Sequence, residues 1–469
     1  MLSRVVARRG PRSTLLRLLS TTPPGASSPP SSVSVVPPPQ TINAPPVHTF
    51  STPLESALHT QIKTLGPLPL STYTSLCMTH PTFGYYTTSN PLMGLDNKGD
   101  FVTSPGLSQA FGETLAAWVC YNLKEFRYVE YGPGDGTLCK DFLRTMDMLN
   151  RRPLECYLID ESPVLIEEQI KTLSVKIDDY KHDVKDIPSN MVVKTGLVED
   201  GRTRVTWLKD LPPVNANKPE FIMCHEFLDA LPAHVFQFKG GRWRERMVDI
   251  NWEGGHVEEE EGGKNDQAFK GVKKQELTEI SKSSNLRLVL SQTPTPALKT
   301  LLKTDSKGIS TAVPGRENAV IEIQPEALSL IQGFSDRVNL NKGLTMIIDY
   351  VGKGDTTRAF SKHAQVDILE RPGECDITCS CDYDQYSKEV SAKNAVSWRR
   401  PQGEFLVECG MGNRVHSLIE ADETSVEEAN KIFVGFEKIV EEMKTFEVMV
   451  IGGESNIKGV KRGTPIGFL

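Results

Sequence analysis

Acidic side chains and glycines gather where three predicted strands of this chain end. The first predicted strand runs into Glu130 and a glycine-rich turn, the second is followed by Asp160, and the third is followed by Glu226 and Asp229. In open α/β sheets, ligands bind beyond the carboxyl ends of the strands, so these side chains should meet at one edge. Carboxylates beside bare main chain can hold a cationic or amine-bearing ligand.

The glycine-rich turn joins the strand at 128–131 to an amphipathic helix that begins at Thr137. Its glycines follow the spacing GxGxG, whereas a dinucleotide-binding turn has GxGxxG and seats a pyrophosphate on the helix N-terminus. Glu130 would repel a pyrophosphate, and it suits the sulfonium and amino groups of S-adenosylmethionine. The turn alone leaves open the alternative of an ordinary connection between α/β elements.

The predicted cofactor-binding residues lie on this turn and after the second strand. Asp160 follows the strand at 156–159, at about the distance where such folds place a ribose-binding acid. Ser162 and Pro163 are typical of an N-cap and a first helical residue. The predicted set is Glu130, Gly132, Pro133, Gly134, Gly136, Thr137, Leu138, Asp160 and Ser162.

Glu226 and Asp229 are the first candidates for contact with a substrate, because they follow the predicted strand at 221–224. Their spacing of three predicts that both lie on one face of a helical turn. The alternative is that they cap a helix and compensate its dipole, since acids are common in first turns.

Residues 1–54 differ from the rest of the chain. They contain five arginines, many serines, threonines and prolines, and no acid before Glu55. This composition is typical of a mitochondrial transit peptide followed by a Pro-rich linker, which places the protein in the mitochondrial matrix. A plain disordered arm is the alternative.

Charge and cysteine content narrow the classes of partner. The net charge is −7 over 469 residues, and it would be more negative without the N-terminal arginines. An acidic chain argues against nucleic acid as a main partner, and no apolar run approaches the ~18 residues of a membrane span.

Nine scattered cysteines predict free thiols in a reducing compartment. Cys375, Cys379 and Cys381 match no common zinc module, so no metal site is predicted.

The remaining chain is predicted to be a sheet with a preceding lid region and an internal insertion. The predicted order is a helical and lid region at 55–126, the first half of the core at 127–238, an insertion at 239–342, and the second half of the core at 343–469. Asp100 and Thr103 stand in an aromatic loop that could form a lid excluding water. Within the insertion, FKGGRW at 238–243 predicts a hairpin and the acidic run at 258–266 a solvated loop.

Later segments predict further strands of the same sheet. LRLVLSQ at 286–292 is predicted to resume it, LTMIIDY at 344–350 to be a buried central strand carrying Asp349, and EFLVEC at 404–409 and FEVMVIG at 446–452 to be the last two strands. Ser425 and Glu428 form a capping box for a helix with this predicted buried face: Ala429, Phe433, Phe436, Ile439, Val440 and Met443. The predicted fold is α/β, and the strand-end acids beside the glycine turn favour a class I (Rossmann-like) methyltransferase sheet, mostly parallel with an antiparallel final strand, plus helical and hairpin insertions.

Seven motifs resemble those of the MidA-like S-adenosylmethionine-dependent methyltransferases, a family with mitochondrial complex I assembly factors and bacterial members. They are VEYGPGDGTL, GDFVTSPGLSQAFGE, IDESPVL, HEFLDALP, MIIDY, RPGECDIT and QGEFLVECGM. The resemblance runs from about Pro69 to the C-terminus. It implies a class I methyltransferase fold and, for the mitochondrial members, N-methylation of an arginine on a complex I subunit during assembly.

The chemistry expected from this resemblance is in-line transfer of a methyl group from the sulfonium to a guanidinium nitrogen. Arginine stays protonated, so carboxylates must grip its planar fork and draw its charge away from the attacking nitrogen. Glu226 is the first candidate for that grip, with Asp229 or Asp349 assisting. Two other classes stay open. Asp135 and His225 depart from the family pattern and leave room for a catalytically silent assembly chaperone, whereas the GxGxG spacing disfavours an NAD(P)-dependent oxidoreductase.

Overall fold

The structure is a computed structural model that describes residues 49–88, 102–178, 187–251, 277–280, 284–453 and 464–468. Residues 1–48 of the predicted transit peptide and linker, Asp100 and the acidic run at 258–266 lie outside the described residues, whereas α1 begins within the predicted linker at Pro53.

The described residues form both helices and strands. The helices are α1 Pro53–Leu65, α2 Leu70–Thr79, α3 Ser104–Leu107, α4 Gln109–Asn122, α5 Thr137–Met148, α6 Pro163–Thr172, α7 Pro296–Leu301, α8 Pro325–Asn341, α9 Tyr383–Ala392, α10 Gln402–Glu408, α11 Met411–Ile419 and α12 Val426–Glu437. The strands are β1 Leu68–Pro69, β2 Arg127–Tyr131, β3 Cys156–Ile159, β4 Val175–Ile177, β5 Val192–Val198, β6 Arg204–Leu208, β7 Glu220–His225, β8 His234–Lys239, β9 Arg242–Ile250, β10 Leu277–Ile280, β11 Leu286–Leu290, β12 Val320–Ile323, β13 Leu344–Tyr350, β14 Arg358–Ser361, β15 Ala364–Val366, β16 Asp376–Thr378, β17 Val396–Pro401 and β18 Phe446–Gly452.

A mixed sheet forms the largest layer of the described part of the chain, with strand order β17-β18-β13-β7-β2-β3-β6-β5-β4. The five neighbours from β13 to β6 run parallel, so their carboxyl ends meet at one edge. The final strand β18 runs antiparallel to β13, as the sequence predicts. At the far edge, β5 and β4 continue the sheet in antiparallel pairing.

A second sheet contains the predicted hairpin, in which Gly240 and Gly241 connect β8 to β9 at φ values of 62° and 77°. β11 pairs with β9 in this second sheet. The prediction that LRLVLSQ resumes the core sheet is therefore wrong, because an apolar run identifies a buried strand but not its partner. A third sheet, with the order β15-β14-β16, follows β13.

The predicted strand at EFLVEC is also wrong, since α10 covers this segment. Phe405 and Leu406 are buried whereas Glu404, Val407 and Glu408 are exposed. Two adjacent buried residues flanked by exposed ones fit one face of a helix and not the alternation of a strand. The strand that pairs with β18 at this edge is β17.

The capping box at the start of α12 is confirmed, because Ser425 and Glu428 bond reciprocally. Its predicted buried face is only partly correct. Ile439 is buried, but the side chain of Phe433 is 46% exposed. The helix presents Gly435 to the main chain of Leu107, where an added Cβ would lie 2.3 Å from the carbonyl oxygen. The close approach of the main chain at Gly435, and not the bulky side chain of Phe433, therefore determines which side of α12 packs against the rest of the protein.

A buried ionic cluster fixes the amino ends of the strands that carry the candidate site. Glu220 on β7 accepts hydrogen bonds from Arg127 on β2 and from Arg337 and Asn341 on α8. All four residues are buried. Because a buried carboxylate is stable only with such partners, the cluster holds β2, β7 and α8 together.

The nine cysteines are all free thiols. No cluster of three or more His, Cys, Asp or Glu able to hold a metal ion occurs in the part of the chain that the structure describes. Of the helices within that part, none is both long enough and apolar enough to cross a membrane.

Candidate active site

A cavity of about 280 Å³ opens at the carboxyl edge of the parallel strands. The glycine turn after β2, the segment after β7 and the third sheet line it together. Five of its described lining residues are acidic, namely Glu130, Asp135, Glu226, Asp229 and Asp376. Arg358 is the only one of the described lining residues with a permanent positive charge. The arrangement can therefore attract and hold cations.

The glycine turn brings main chain to the cavity wall. Gly132, Gly134 and Gly136 have φ values of 61°, 56° and 85°, a region that glycine occupies without strain. A Cβ on Gly132 would lie 2.5 Å from the ring of Phe227. Asp135 accepts a hydrogen bond of 2.9 Å from the Thr137 amide and so satisfies a free N–H at the start of α5. A side chain at Gly132 would therefore collide with Phe227.

Glu130 lies on β2 and is only 2% exposed. The Tyr128 hydroxyl donates a 2.8 Å hydrogen bond to its carboxylate. Burial raises the pKa of Glu130 to about 8, the bond from Tyr128 opposes the rise, and Asp135 adds to it. At neutral pH the carboxyl group therefore holds its proton until a cation approaches.

The spacing of three between Glu226 and Asp229 predicts a helical turn, but Glu226 does not lie on one. Its φ is 48°, and its amide donates to the carbonyl of Ile348 on β13. Its Oε1 lies 3.4 Å from Nε2 of His225, and both atoms are buried without a hydrogen-bond partner among the described residues. Burial lowers the pKa of His225 to about 3, so this imidazole is neutral and supplies no counter-charge.

The pKa of Glu226 rises to about 8. Burial is the main cause, the nearby Asp229 adds to the rise, and a hydrogen bond from the Ser104 amide opposes it. A carboxyl group in this state ionises when a cation enters the cavity, because the cation stabilises the charged form.

Asp229 faces the cavity and Asp349 supports it from behind. Asp229 accepts a 2.7 Å hydrogen bond from the Thr378 hydroxyl. Asp349 is fully buried and does not line the cavity. Its carboxylate accepts hydrogen bonds from the amides of Leu228, Asp229 and Tyr350 at 3.0, 3.2 and 2.8 Å. These bonds hold the turn that presents Asp229, so the geometry gives Asp349 a positioning role. Burial raises the pKa of both carboxyl groups, and Asp229 raises that of Asp349 further.

The predicted ribose-binding side adjoins the glycine turn without lining this cavity. Asp160 accepts 2.8 Å hydrogen bonds from the Ser162 amide and from Nε2 of Gln169. The same Nε2 donates to the Gly134 carbonyl at 2.8 Å, so Gln169 links Asp160 to the glycine turn. Gly136 is the N-cap of α5, which begins at Thr137, and Ser162 is the N-cap of α6 as predicted. Ser162 also donates a 2.9 Å hydrogen bond to the Tyr86 carbonyl.

Sequence reasoning missed the third sheet as a wall of the cavity. Arg358, Phe360, Asp376 and Thr378 line the cavity from its strands, and Tyr86 donates to Asp376 at 3.3 Å. The Arg358 guanidinium lies over the ring of Phe360 at 5.5 Å and over that of Tyr350 at 5.7 Å. The motif RPGECDIT contains Asp376 and Thr378, and a polar pair within that resembling segment is the signal that could have identified them.

Comparison with known proteins places the chain among methyltransferases. Residues 108–402 match a family model described as "Putative S-adenosyl-L-methionine-dependent methyltransferase". The chain is 30% identical over 391 residues to the mitochondrial protein arginine methyltransferase NDUFAF7 of Rattus norvegicus, which covers 81% of this chain and 79% of that protein. It is 31% identical to the same-named protein of Xenopus tropicalis, over 77% of this chain and 76% of that one.

The fold is similar to that of a protein from Burkholderia thailandensis whose crystal structure contains S-adenosylhomocysteine. The TM-score is 0.66 at 20% identity, over 88% of this chain and 94% of that chain.

Substitution of Gly132 by alanine should weaken binding of S-adenosylhomocysteine by about 10- to 100-fold, where tenfold corresponds to about 1.4 kcal/mol. The added Cβ meets the Phe227 ring, and φ of 61° is unfavourable for alanine. Gly333→Ala on α8 is the control, because nothing lies within 4 Å of its added Cβ. Calorimetry on both folded variants measures the affinities, and equal affinities would contradict a role for this turn in binding.

The ligand-free protein should lose stability as pH rises from about 4.5 to about 8. The folded-state pKa values of Glu130 and Glu226, about 8, lie above the ordinary 4.5. The folded state therefore binds more protons in this range, and stability present at lower pH is lost as pH passes through the folded pKa. Glu226→Gln should flatten the fall in melting temperature, whereas Glu404→Gln, at an exposed position, should not. Parallel curves for the wild type and Glu226→Gln would refute the raised pKa.

Proposed function

The chain belongs to this family of S-adenosyl-L-methionine-dependent methyltransferases, and we propose that it methylates a guanidinium nitrogen of an arginine in a protein substrate. The observation that carries the proposal is that the nearly buried carboxyl groups of Glu226 and Asp229 meet the glycine turn in one cavity. The relatives named protein arginine methyltransferases support the choice of arginine. We also propose that the mixed sheet is the class I methyltransferase sheet, with β2 as its central strand.

The residues around the glycine turn fit S-adenosylmethionine. Gly132 brings bare main chain to the cavity wall at a φ that glycine favours, and Glu130 is a buried acid that suits a cation. Glu130 and the amides of the turn would hold the methionine end, while Asp160 would hold the ribose hydroxyl groups. When bound, the cofactor supplies a methyl group activated by the sulfonium. The chain's part is to hold donor and acceptor in line and to exclude water.

Glu226 and Asp229 would bind the substrate arginine through their carboxylates. A guanidinium has a pKa above 12 and enters as a cation, which draws both carboxyl groups into their charged forms. Hydrogen bonds from the two non-reacting guanidinium nitrogens to these carboxylates would localise the positive charge on those nitrogens. The third nitrogen would then keep the electron density that it needs to attack the methyl group. That nitrogen must lose a proton after it gains a methyl group, and Glu226 would accept it. Asp349 would act by holding the turn that carries Asp229.

We further propose that the protein acts in the mitochondrial matrix on a subunit of complex I and supports assembly of that complex. Two observations support the compartment: the named relatives are mitochondrial proteins, and residues 1–54 have the composition of a transit peptide. The complex I subunit comes from the resemblance to the assembly-factor family. A protein partner is compatible with a cavity that opens at the edge of the sheet.

Incubation of the purified protein with methyl-labelled S-adenosylmethionine and isolated complex I subunits tests the proposal. We expect label on arginine, and a decrease of roughly 100-fold or more in turnover for Glu226→Gln, since the lost carboxylate both orients the guanidinium and accepts its proton. Affinity for S-adenosylhomocysteine should change little. Glu404→Gln at an exposed position serves as the control. Label on another residue type, or full turnover by Glu226→Gln, would contradict the proposal.

A further inference from the structure

One face of the third sheet forms a wall of the cavity. Arg358 and Phe360 alternate along β14, and their partners across the ladder on β16 are Thr378 and Asp376. All four side chains line the cavity, whereas Ala359, which lies between the first two, is buried in a hydrophobic cluster. The alternation is that of a strand with one face toward the site and one toward the core.

β15 is the open edge of this sheet. Within the described residues it pairs with β14 alone, and its residues Ala364 and Gln365 are exposed. Lys362 and His363 form the two-residue turn between β14 and β15, with φ values of 51° and 63°. Two positive values identify a type I′ hairpin turn. His363 lines the cavity, so the turn lies at the cavity wall.

The register of this hairpin determines where the free main-chain groups of the edge point. Ser361 and Ala364 flank the turn and form the hydrogen-bonded pair of a two-residue hairpin. The next pair, Phe360 and Gln365, is therefore a non-hydrogen-bonded pair. The N–H and C=O groups of Gln365 consequently point away from β14, toward the open edge. Its side chain lies on the same face as that of Phe360, which is the cavity face.

We propose that the open edge of β15 binds an extended segment of the substrate protein as an added strand, whose arginine side chain then points into the cavity. The inference rests on the proposed function and adds the mode of substrate recognition. The segment would exchange two main-chain hydrogen bonds with Gln365, as in other cases of strand addition to a sheet edge. The added strand continues the face that carries Phe360 and Asp376, so every second side chain lies on the side of the cavity.

The carboxyl groups that would bind the substrate arginine are largely buried, and this burial favours the binding of an extended segment. The side chain of Glu226 is 12% exposed, and that of Asp229 accepts a hydrogen bond from Thr378 of the third sheet. An arginine on a helix or a compact surface would bring bulky neighbours against these walls. An extended segment presents single side chains at intervals of two residues and leaves its main chain free for the edge. Because strand addition recognises the main chain of the substrate, the residues on either side of the arginine can also vary.

Proline at Gln365 tests the proposal, because it removes the outward N–H while leaving the inward hydrogen bonds of β15 in place. The probe is a library of short peptides with a fixed central arginine, methylated with labelled S-adenosylmethionine. We expect Gln365→Pro to raise KM on the order of tenfold with kcat nearly unchanged, as loss of one hydrogen bond predicts. Gln365→Ala measures the part due to the side chain. Ile177→Pro at the exposed edge strand β4, which does not line the cavity, is the matched control.

N-methylation of single peptide bonds in the substrate peptide gives a second test that leaves the enzyme unchanged. We expect impaired methylation of the arginine when the blocked N–H is the one that faces β15, and tolerance at the neighbouring positions. Equal KM for Gln365→Pro and Ile177→Pro, or the same effect at every peptide bond, would overturn the proposal. If wild-type protein methylates no arginine at all, the proposed function fails instead, so the two failures are distinguishable.

Discussion

The burial of several carboxyl groups around one cavity, with Arg358 as the only permanent cation among the described lining residues, is the constraint on which the site depends. Removing a carboxylate from water is costly unless it is paired or protonated. At the other end of the same strands, Glu220 has two arginines and an asparagine as partners. At the cavity, Glu130 and Glu226 have no such cations among the described residues, and burial raises both pKa values to about 8. The fold thus carries an electrostatic cost that a cationic ligand relieves.

The rest of the site keeps these groups in place. Tyr128 orients Glu130, Asp349 fixes the turn that presents Asp229, and Gln169 ties Asp160 to the glycine turn. Each of these residues acts through hydrogen bonds to a neighbour and not by facing the cavity. Because the supporting bonds come from parallel strands and their following segments, the positions of the acids follow from the strand order. A donor with a sulfonium and an acceptor with a guanidinium both supply the positive charge that this arrangement lacks.

The sequence predicts the central strands and the glycine turn well, because their signals are local. The prediction for β3 coincides with the strand, and the antiparallel final strand is confirmed. The failures arise where distant contacts decide. The acids in HEFLDALP have helical spacing, but Asp349, more than a hundred residues later, holds their segment in a non-helical turn. The sequence spacing also gives no indication that main-chain amides donate hydrogen bonds to the Asp349 carboxylate. The third sheet has short, polar strands with little periodic signal, so its place at the cavity was not predicted.

Calorimetric titration of the protein with S-adenosylmethionine, in two buffers of different ionisation enthalpy at about pH 7, tests the central claim most directly. If the buried carboxyl groups are protonated in the free protein and ionise to meet a cation, binding must release protons to the buffer. The observed enthalpy should then differ between the buffers, and it should differ less for S-adenosylhomocysteine, which lacks the sulfonium charge. Binding with no proton release for either ligand would show that the acids are already charged and compensated, and would contradict this account.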